Sequence, residues 1–271
     1  SDGNCFSPAG GGGKHKPTCI ISWKCCKGFP GGNSARYNNA GDEKMADLTR
    51  FIPGDILDRF EVHNYNHAAE ILSQAFAADF NELIQALRRL KITVGEIKKE
   101  GGNESPIPPK FSEVLDPLGW KEIRISGDLT IHFFPRRGDT RGRFEARPSG
   151  SVTLKNYIDG HNIDFLKGRI ACDIEWNSKD QTYDRDLFAF RTYYECGIIS
   201  AAVLITRSES LNPVFRSLGV MQKYGASTTW MGKLLPRLDS RRHGGCPILA
   251  IGITPRSVMD FGDEKDGSHS A

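Results

Sequence analysis

The stretch IDFLKGRIACDIEWNSKD, residues 163–180, decides the fold of this 271-residue chain. Its two apolar-rich arms flank LKGR, which is typical of two antiparallel strands joined by a tight turn. Side chains alternate between the two faces of a strand. The residues at 170, 172 and 174 are apolar and face one way, whereas Asp173, Glu175 and Asn177 face the other. The pattern predicts a core face and a polar row on one strand.

The acids of the polar row need a partner. Pairing of the two strands brings Asp164 close to Asp173 and Glu175. Three carboxylates on adjacent strands repel one another unless a cation lies among them, and Mg²⁺ is the natural candidate because it takes oxygen ligands and keeps water molecules. The alternative is a solvated face on which the acids pair with nearby cations, namely Lys167, Arg169 and Lys179.

The segments before this hairpin predict helices and a second hairpin. Apolar residues recur at helical spacing from 66 to 90 and predict two successive helices, with Asp79 and Glu82 resembling a capping box. A short helix follows, capped by Thr93 and Glu96, and another lies before residue 120. Residues 121–134 predict a hairpin around a Gly-Asp turn.

The segments after it complete an α/β pattern. Residues 184–196 predict a helix, and the apolar runs at 198–206 and 246–254 are typical of strands covered on both faces. A short helix starts at Pro213, and residues 225–238 predict a loop that leads into a helix. The order predicts an α/β core with a mixed β-sheet flanked by helices.

Composition excludes little. Hydrophobic residues make up 38% and charged residues 25%, and the net charge of +3 falls within residues 1–44, because the remainder has 30 basic against 30 acidic residues. Bulk charge therefore gives no argument for a nucleic-acid partner. No apolar run approaches the roughly 18 residues of a membrane span, and the first residues lack the pattern of a secretory signal.

The chain divides into three parts by pattern. We predict a flexible, Gly- and Cys-rich extension over 1–44, a single domain over 45–255 and a disordered acidic tail over 256–271. The four cysteines near the start lack a C-x2-C pair, which disfavours a zinc site. Cys172, Cys196 and Cys246 are predicted to be buried free thiols of a cytosolic protein.

Several motifs resemble a known family. An acid, a gap of about nine residues and an acid-x-polar triplet on the next strand resemble the PD-(D/E)XK nuclease pattern. HNIDFLKGRIACDIEWNSKDQTYDRDLFAFR, GIISAAVLITRS and YGASTTWMGKLLPR…GGCPILAIGI resemble, more specifically, the BglII/BstYI family of type II restriction endonucleases. The likeness runs from about residue 55 to 253, and EWNSKDQTYDRDL followed by GASTT is its most specific part.

The resemblance implies a restriction-endonuclease-like core within a single endonuclease domain. It implies a Mg²⁺-dependent homodimer that cuts both strands of a short palindrome in double-stranded DNA, centred on GATC, and leaves four-base 5′ overhangs. It further implies a cytoplasmic protein of a bacterial host that also carries a cognate DNA methyltransferase, with no membrane partner.

The resemblance also implies roles for the acids. By position, Asp164 is the first acid, Asp173 the second, and Glu175 stands where the broader superfamily has Lys. We favour Asp164 and Asp173 as metal ligands, with Glu175 orienting or deprotonating water or acting as a further ligand. Glu175 and Asn177 could instead be the second and third positions, although the nine-residue gap favours Asp173.

DNA contacts are expected just beyond the acids and in a later loop. Asn177, Ser178 and Lys179 follow the acids directly. Short polar groups for base edges and cations for phosphates come later in the chain, namely Tyr224, Ser227, Thr228, Thr229, Lys233 and Arg237. An alternative for Ser227 is a helix N-cap. Rival functions are a repair or defence nuclease of lower specificity and a non-cutting DNA-binding protein.

Overall fold

The computed structural model describes residues 48–99, 106–138 and 142–261. The predictions for residues 1–44 lie outside them. The helices are α1 Gly54–Arg59, α2 Ala68–Ala75, α3 Ala77–Arg89, α4 Val94–Lys98, α5 Ile107–Leu115, α6 Thr182–Glu195, α7 Asn212–Ser217 and α8 Met231–Asp239. The strands are β1 Phe60–Tyr65, β2 Lys121–Phe133, β3 Gly150–Lys167, β4 Ile170–Glu175, β5 Ala201–Arg207 and β6 Ile248–Ile253.

The six strands form one mixed sheet in the order β1-β6-β5-β4-β3-β2. The central strands β4, β5 and β6 run parallel, whereas β1 pairs antiparallel with β6, and β3 pairs antiparallel with both β4 and β2. The predicted hairpin over residues 163–175 is β3–β4. The predicted α/β class with a mixed sheet is confirmed.

Helices cover both faces of the sheet. The side chains of α2, α3 and α5 pack with α7 against one face, where Leu83 and Phe111 are buried. The helices α6 and α8 cover the other face, where Phe190 and Leu234 are buried. All seven residues of β5 are buried as a result, which is why this strand is apolar almost throughout. No helix within the described ranges is long and apolar enough to span a bilayer.

The turn of the β3–β4 hairpin is held by two acids of α3. Lys167 Nζ lies 2.6 Å from a carboxylate oxygen of Glu82 and 3.2 Å from one of Asp79, and Glu82 also accepts a hydrogen bond from Trp120 Nε1 at 2.8 Å. The predicted capping box of Asp79 and Glu82 is wrong, because α3 begins at Ala77 without a side-chain cap. The box predicted at Thr93 and Glu96 is confirmed.

The hairpin predicted over residues 121–134 is also wrong. These residues form the single strand β2, which pairs with β3 along its length with irregular register near Gly127. Asp128 accepts hydrogen bonds from the backbone N–H of Asn156 and from Lys155 Nζ. A Gly-Asp pair suits a bulge as well as a turn. The hydrogen bonds from β3 to Asp128 favour the bulge here.

Three local features differ from the predictions or were not predicted. The edge strand β1 (Phe60–Tyr65), which alternates apolar and polar residues only over its first four positions, was not predicted, and its backbone pairs with β6. The burial predicted for Cys196 is wrong because this residue is exposed, whereas Cys172 and Cys246 are buried as predicted. The disorder predicted from residue 256 is wrong for residues 256–261, since Val258 pairs with Ile92 in a short bridge. Residues 262–271 lie outside the described ranges.

Candidate active site

The two strands of the β3–β4 hairpin separate at the first acid. Phe165 still pairs with Cys172 through the backbone. At the next pair, Asp164 and Asp173, side-chain carboxylates replace the backbone carbonyls as hydrogen-bond acceptors. The backbone N–H of Asp164 donates to Oδ1 of Asp173 at 2.8 Å, and the backbone N–H of Ile174 donates to Oδ2 of Asp164 at 2.9 Å. Each carboxylate therefore takes the place of a backbone carbonyl, which fixes the orientation of both acids.

These acids line a cleft of about 440 Å³ at the carboxyl end of β4. Asp164, Asp173 and Glu175, which the sequence predicted to lie together, are all in its wall. The complete lining comprises six carboxylates, one arginine, one histidine and two other residues: Glu122, Asp159, Gly160, His161, Asn162, Asp164, Asp173, Glu175, Arg185 and Asp186. Asn177 is not part of this lining, which supports Asp173 and Glu175 as the second and third positions of the motif.

Five further residues of this wall with ionisable side chains were not predicted from the sequence. Glu122 lies on β2, Asp159 and His161 lie on β3, and Arg185 and Asp186 lie on α6. Two of them had a signal in the sequence, because His161 stands three residues before Asp164 and Asp186 stands on the helix that follows the acidic strand. Which face of that helix turns towards the acids depends on how it packs on the sheet, and spacing does not give it.

Burial and mutual repulsion raise the pKa of the clustered acids. Burial places the pKa of Asp173 well above its ordinary value, and the carboxylates of Asp186 and Asp164 raise it further. Burial and the charge of Asp186 raise the pKa of Glu175 to about 8, against a weaker opposing effect of Ser178. The pKa of Asp164 is also raised, chiefly by burial. The site therefore holds negative charge poorly without a counter-ion.

Unpartnered oxygens point to what the cleft binds. Oδ2 of Asp173, Oε2 of Glu175 and Oδ2 of Asp186 are buried and have no hydrogen-bond partner among the residues that the structure describes. The alternative that lysine and arginine neighbours neutralise the acids is wrong for Lys167, which binds Glu82, and for Arg169, whose Nε donates to Ser200 Oγ at 2.8 Å. Carboxylate oxygens with free lone pairs are the donor set that Mg²⁺ prefers, so these residues fit this ion.

A polar platform adjoins the cleft and consists of residues 177–180 together with 227–229. The Ser178 N–H donates to Thr229 Oγ1 at 3.1 Å, the Thr229 N–H donates to the Ser178 carbonyl at 2.8 Å, and Lys179 forms a bridge with Thr228. Two stretches about fifty residues apart, both predicted to contact DNA, therefore lie side by side. Ser178, Lys179 and Ser227 are exposed on the platform.

Several of the predicted DNA contacts have partners within the protein. Tyr224 is buried, stacks on Phe215 and donates its hydroxyl to the Ile97 carbonyl at 3.1 Å, so this side chain is not available to a base or a phosphate. The amide of Asn177 donates to the Lys223 carbonyl at 3.3 Å, and its Oδ1 is buried. Arg237 forms a two-point ion pair with Asp184, with N···O distances of 3.0 and 3.2 Å. The alternative role of Ser227 as a helix N-cap is wrong, because Trp230 occupies that position before α8.

Arg207 joins the platform to the end of β4. Its side chain is buried, and its guanidinium donates to the carbonyls of Trp176 and Tyr224 and to the hydroxyl of Thr228. It also lies over the rings of Phe215 and Tyr224, 5.7 and 5.5 Å from their centroids. Burial lowers its pKa to about 10, which leaves the guanidinium charged near neutral pH.

Divalent cations are expected to stabilise the protein in a pH-dependent way. Because the folded pKa of Glu175 is about 8 against an ordinary 4.5, the metal-free protein loses stability as pH rises between these values, and a cation offsets that loss. We expect about 10 mM Mg²⁺ to raise Tm by about 4 °C at pH 8 and by much less at pH 5.5. Thermal melting against Na⁺ at equal ionic strength checks this, and an equal shift at both pH values would contradict it.

The fold is thus an α/β sheet in which a cleft of clustered carboxylates, with donor oxygens that fit a divalent cation, lies beside an exposed polar platform. The profile of the restriction endonuclease BglII/BglIII family matches residues 60–253, most of the chain. The chain therefore belongs to this family and is a nuclease that acts on DNA. A search of curated proteins found no match.

Proposed function

We propose that the protein is a type II restriction endonuclease. It hydrolyses, with Mg²⁺ as cofactor, both strands of a short palindromic site in double-stranded DNA, centred on GATC and cut to leave 5′ overhangs. It acts as a homodimer, because a two-fold protein matches a palindrome. A cognate DNA methyltransferase in the same bacterial host protects the host DNA, and the enzyme works in the cytoplasm.

One observation carries this proposal: the three acids of the motif line one cleft beside a polar platform. Oδ1 of Asp173 and Oδ2 of Asp164 accept hydrogen bonds from backbone N–H groups, whereas Oδ2 of Asp173 and Oε2 of Glu175 have no hydrogen-bond partner among the described residues. A site built only for solvation would not bury Asp173 and half-bury Glu175 with these oxygens unpaired, since burying a carboxylate costs several kcal/mol.

The residues suit phosphodiester hydrolysis. Asp164 and Asp173 would hold Mg²⁺, and the bound ion would supply charge stabilisation for the phosphate oxygens and a more acidic water molecule. Glu175 orients the attacking water and accepts its proton, and a pKa of about 8 suits a general base that works near neutral pH. Arg185, exposed at the mouth of the cleft, contacts the scissile phosphate. In this role it supplies the cation that Lys provides elsewhere in the superfamily.

Side chains of the platform contact base edges of the DNA. Ser178 and Ser227 present hydroxyl groups that suit base edges. Asn177 contacts a base only if DNA displaces the hydrogen bond from its amide to the Lys223 carbonyl. Thr229 is buried and shapes the platform through its bonds to Ser178. Thr228 helps to hold it through Arg207.

The cations beside the platform contact phosphates. Lys179 and Lys233 are the principal candidates, because Lys233 Nζ is 3.7 Å from Asp180, beyond a direct hydrogen bond. Arg237 adds a contact only if DNA displaces Asp184.

Cleavage of unmethylated phage DNA tests the function. The purified protein is incubated with this DNA in Mg²⁺ and in EDTA, and the fragment ends are sequenced. Discrete fragments that share one palindrome, formed only in Mg²⁺, are the expected result. A smear would instead identify a repair or defence nuclease of lower specificity. Tight binding to one site without cutting would identify a DNA-binding protein.

Lys233→Ala is expected to weaken DNA binding by about five- to tenfold at low salt and to reduce the slope of log K against log salt by about 2, because each subunit of the homodimer loses one phosphate contact. The loss is expected to be the same for all sequences, because a phosphate contact carries no sequence information. Fluorescence anisotropy in EDTA measures both effects. Lys110→Ala is the control, since Lys110 on α5 pairs with Glu96. Equal losses in both variants would contradict a specific role for Lys233.

A further inference from the structure

A second group of ligand atoms lies in the cleft beside the motif acids. A ring nitrogen of His161 on β3, a carboxylate oxygen of Asp173 on β4 and a carboxylate oxygen of Asp186 on α6 lie within 4.8 Å of one another. His161 Nε2 and Asp186 Oδ1 are 3.2 Å apart. Two ligands of one ion at about 2.0–2.2 Å from it stand about 3.0–3.5 Å apart, so this pair needs no rearrangement.

Free oxygens are what make this group a site. Asp173 and Asp186 are 3% and 1% exposed, and Oδ2 of each has no hydrogen-bond partner within the described ranges. Buried carboxylate oxygens without partners are costly. One carboxylate oxygen of each residue lies within 4.8 Å of the histidine nitrogen.

The cations among the described residues do not complete the group. His161 contacts Oδ1 of Asp186 and leaves Oδ2 without a partner. Arg185 lies 3.8 Å from Asp186, but its side chain is 65% exposed, so water screens its charge. Within the part of the chain that the structure describes, no side-chain cation is hydrogen-bonded to Oδ2 of Asp173 or Oδ2 of Asp186.

We propose that His161, Asp173 and Asp186 bind a divalent transition-metal ion, such as Mn²⁺ or Zn²⁺, at a position distinct from the Mg²⁺ position of Asp164, Asp173 and Glu175. The difference is in the donor atoms. An imidazole nitrogen favours first-row transition metals, whereas Mg²⁺ prefers oxygen ligands only. Asp173 on β4 is common to both positions. In the proposed site its partners are His161 on β3 and Asp186 on α6.

The proposed site also accounts for Asp186, which has no role in the Mg²⁺ site of the motif acids. Asp186 is buried on the core side of α6, among Tyr183, Leu187 and Phe190. Apart from its contact with His161, without a metal ion it raises the pKa of Glu175 and Asp173. With a bound metal ion it links α6 to β3 and β4. The ion therefore stabilises the packing of α6 on the sheet as well as the charge of the cleft.

Pulsed EPR of Mn²⁺ bound to the full chain tests the inference without DNA. In excess Mg²⁺, which competes for the position that has only oxygen ligands, we expect one Mn²⁺ per chain with a directly bound ¹⁴N nucleus. His161→Asn should abolish the nitrogen coupling, and Asp186→Asn should raise the Kd for Mn²⁺ at least tenfold. Glu175→Gln and His132→Asn are matched controls that keep the nitrogen-coupled ion, since His132 is exposed on β2.

Each outcome decides. Nitrogen coupling that persists in His161→Asn, or no retained Mn²⁺ in excess Mg²⁺, would overturn the inference. If His161→Asn fails to fold, as judged by circular dichroism, the Kd of Asp186→Asn decides in its place. Metal binding is measured separately from cleavage. If the chain retains Mn²⁺ but cuts no DNA, the proposed function is contradicted and the proposed metal site is not.

Discussion

Asp173→Asn is expected to lower the rate of DNA cleavage by at least about 10³-fold and, at the same time, to raise the stability of the metal-free protein. The loss of rate follows because the variant removes the charge that holds the cation, and such an ion contributes several kcal/mol of transition-state stabilisation. The gain in stability follows because the variant removes a buried, repelled carboxylate. Asn keeps an oxygen that can accept the N–H of Asp164, which Asp173 now accepts at 2.8 Å.

The gain in stability depends on pH. The folded pKa of Asp173 lies well above its ordinary value of 3.8 because of burial and the nearby Asp186 and Asp164. The penalty of the charged form is therefore absent below about pH 4, sets in as pH rises and is complete above the folded pKa. We expect a gain of about 2 kcal/mol at pH 8, or about 4–8 °C in Tm, and little gain at pH 4.

Thermal melting in EDTA at both pH values and a cleavage assay in Mg²⁺ measure these two effects. Asp159→Asn is the control for stability, because Asp159 lines the same cleft but is exposed. An Asp173→Asn protein that melts below the wild type at pH 8 would show that the carboxylates are not the strained groups of the fold.

Arg207→Ala is expected to destabilise the fold by about 4 kcal/mol and to lower Tm by about 8–16 °C. The variant empties a buried volume and leaves the carbonyls of Trp176 and Tyr224 without a donor, and each such loss costs about 1–3 kcal/mol. It also frees Thr228, so the platform should loosen and site-specific DNA binding should weaken at temperatures where the protein remains folded.

Denaturant unfolding measures the loss, and hydrogen exchange of the Thr229 amide reports on the platform. Arg216→Ala is the matched control, because Arg216 is exposed on α7 and its loss should change stability by less than about 0.5 kcal/mol. A loss of stability below about 1 kcal/mol in Arg207→Ala would contradict this expectation. It would mean that the desolvation penalty of the buried guanidinium nearly cancels the free energy of its hydrogen bonds.

The hairpin and its three acids could be predicted from the sequence because alternation is local. A period of two places Asp173 and Glu175 on the same side of β4, and a tight turn places Asp164 opposite them. The buried strands β5 and β6 were equally predictable, since strands covered on both faces are apolar throughout.

Other features were not predictable because they depend on partners distant in the chain. Glu82 and Asp79 resemble a helix cap, but they bind Lys167, about eighty-five residues away. Tyr224 resembles a DNA contact, but it packs inside the core against Phe215. In each case local chemistry allowed two roles, and a distant group decided between them.

The sequence by itself determined the class of fold, the acidic strand and the family to which the chain belongs, because these follow from short-range patterns of side chains. Only the tertiary structure decided that α6 turns Asp186 towards Asp173, that β3 brings His161 to both, and that residues 177–180 meet residues 227–229. The physical reason is that the packing of helices on a sheet depends on the whole buried surface, whereas spacing describes one element at a time.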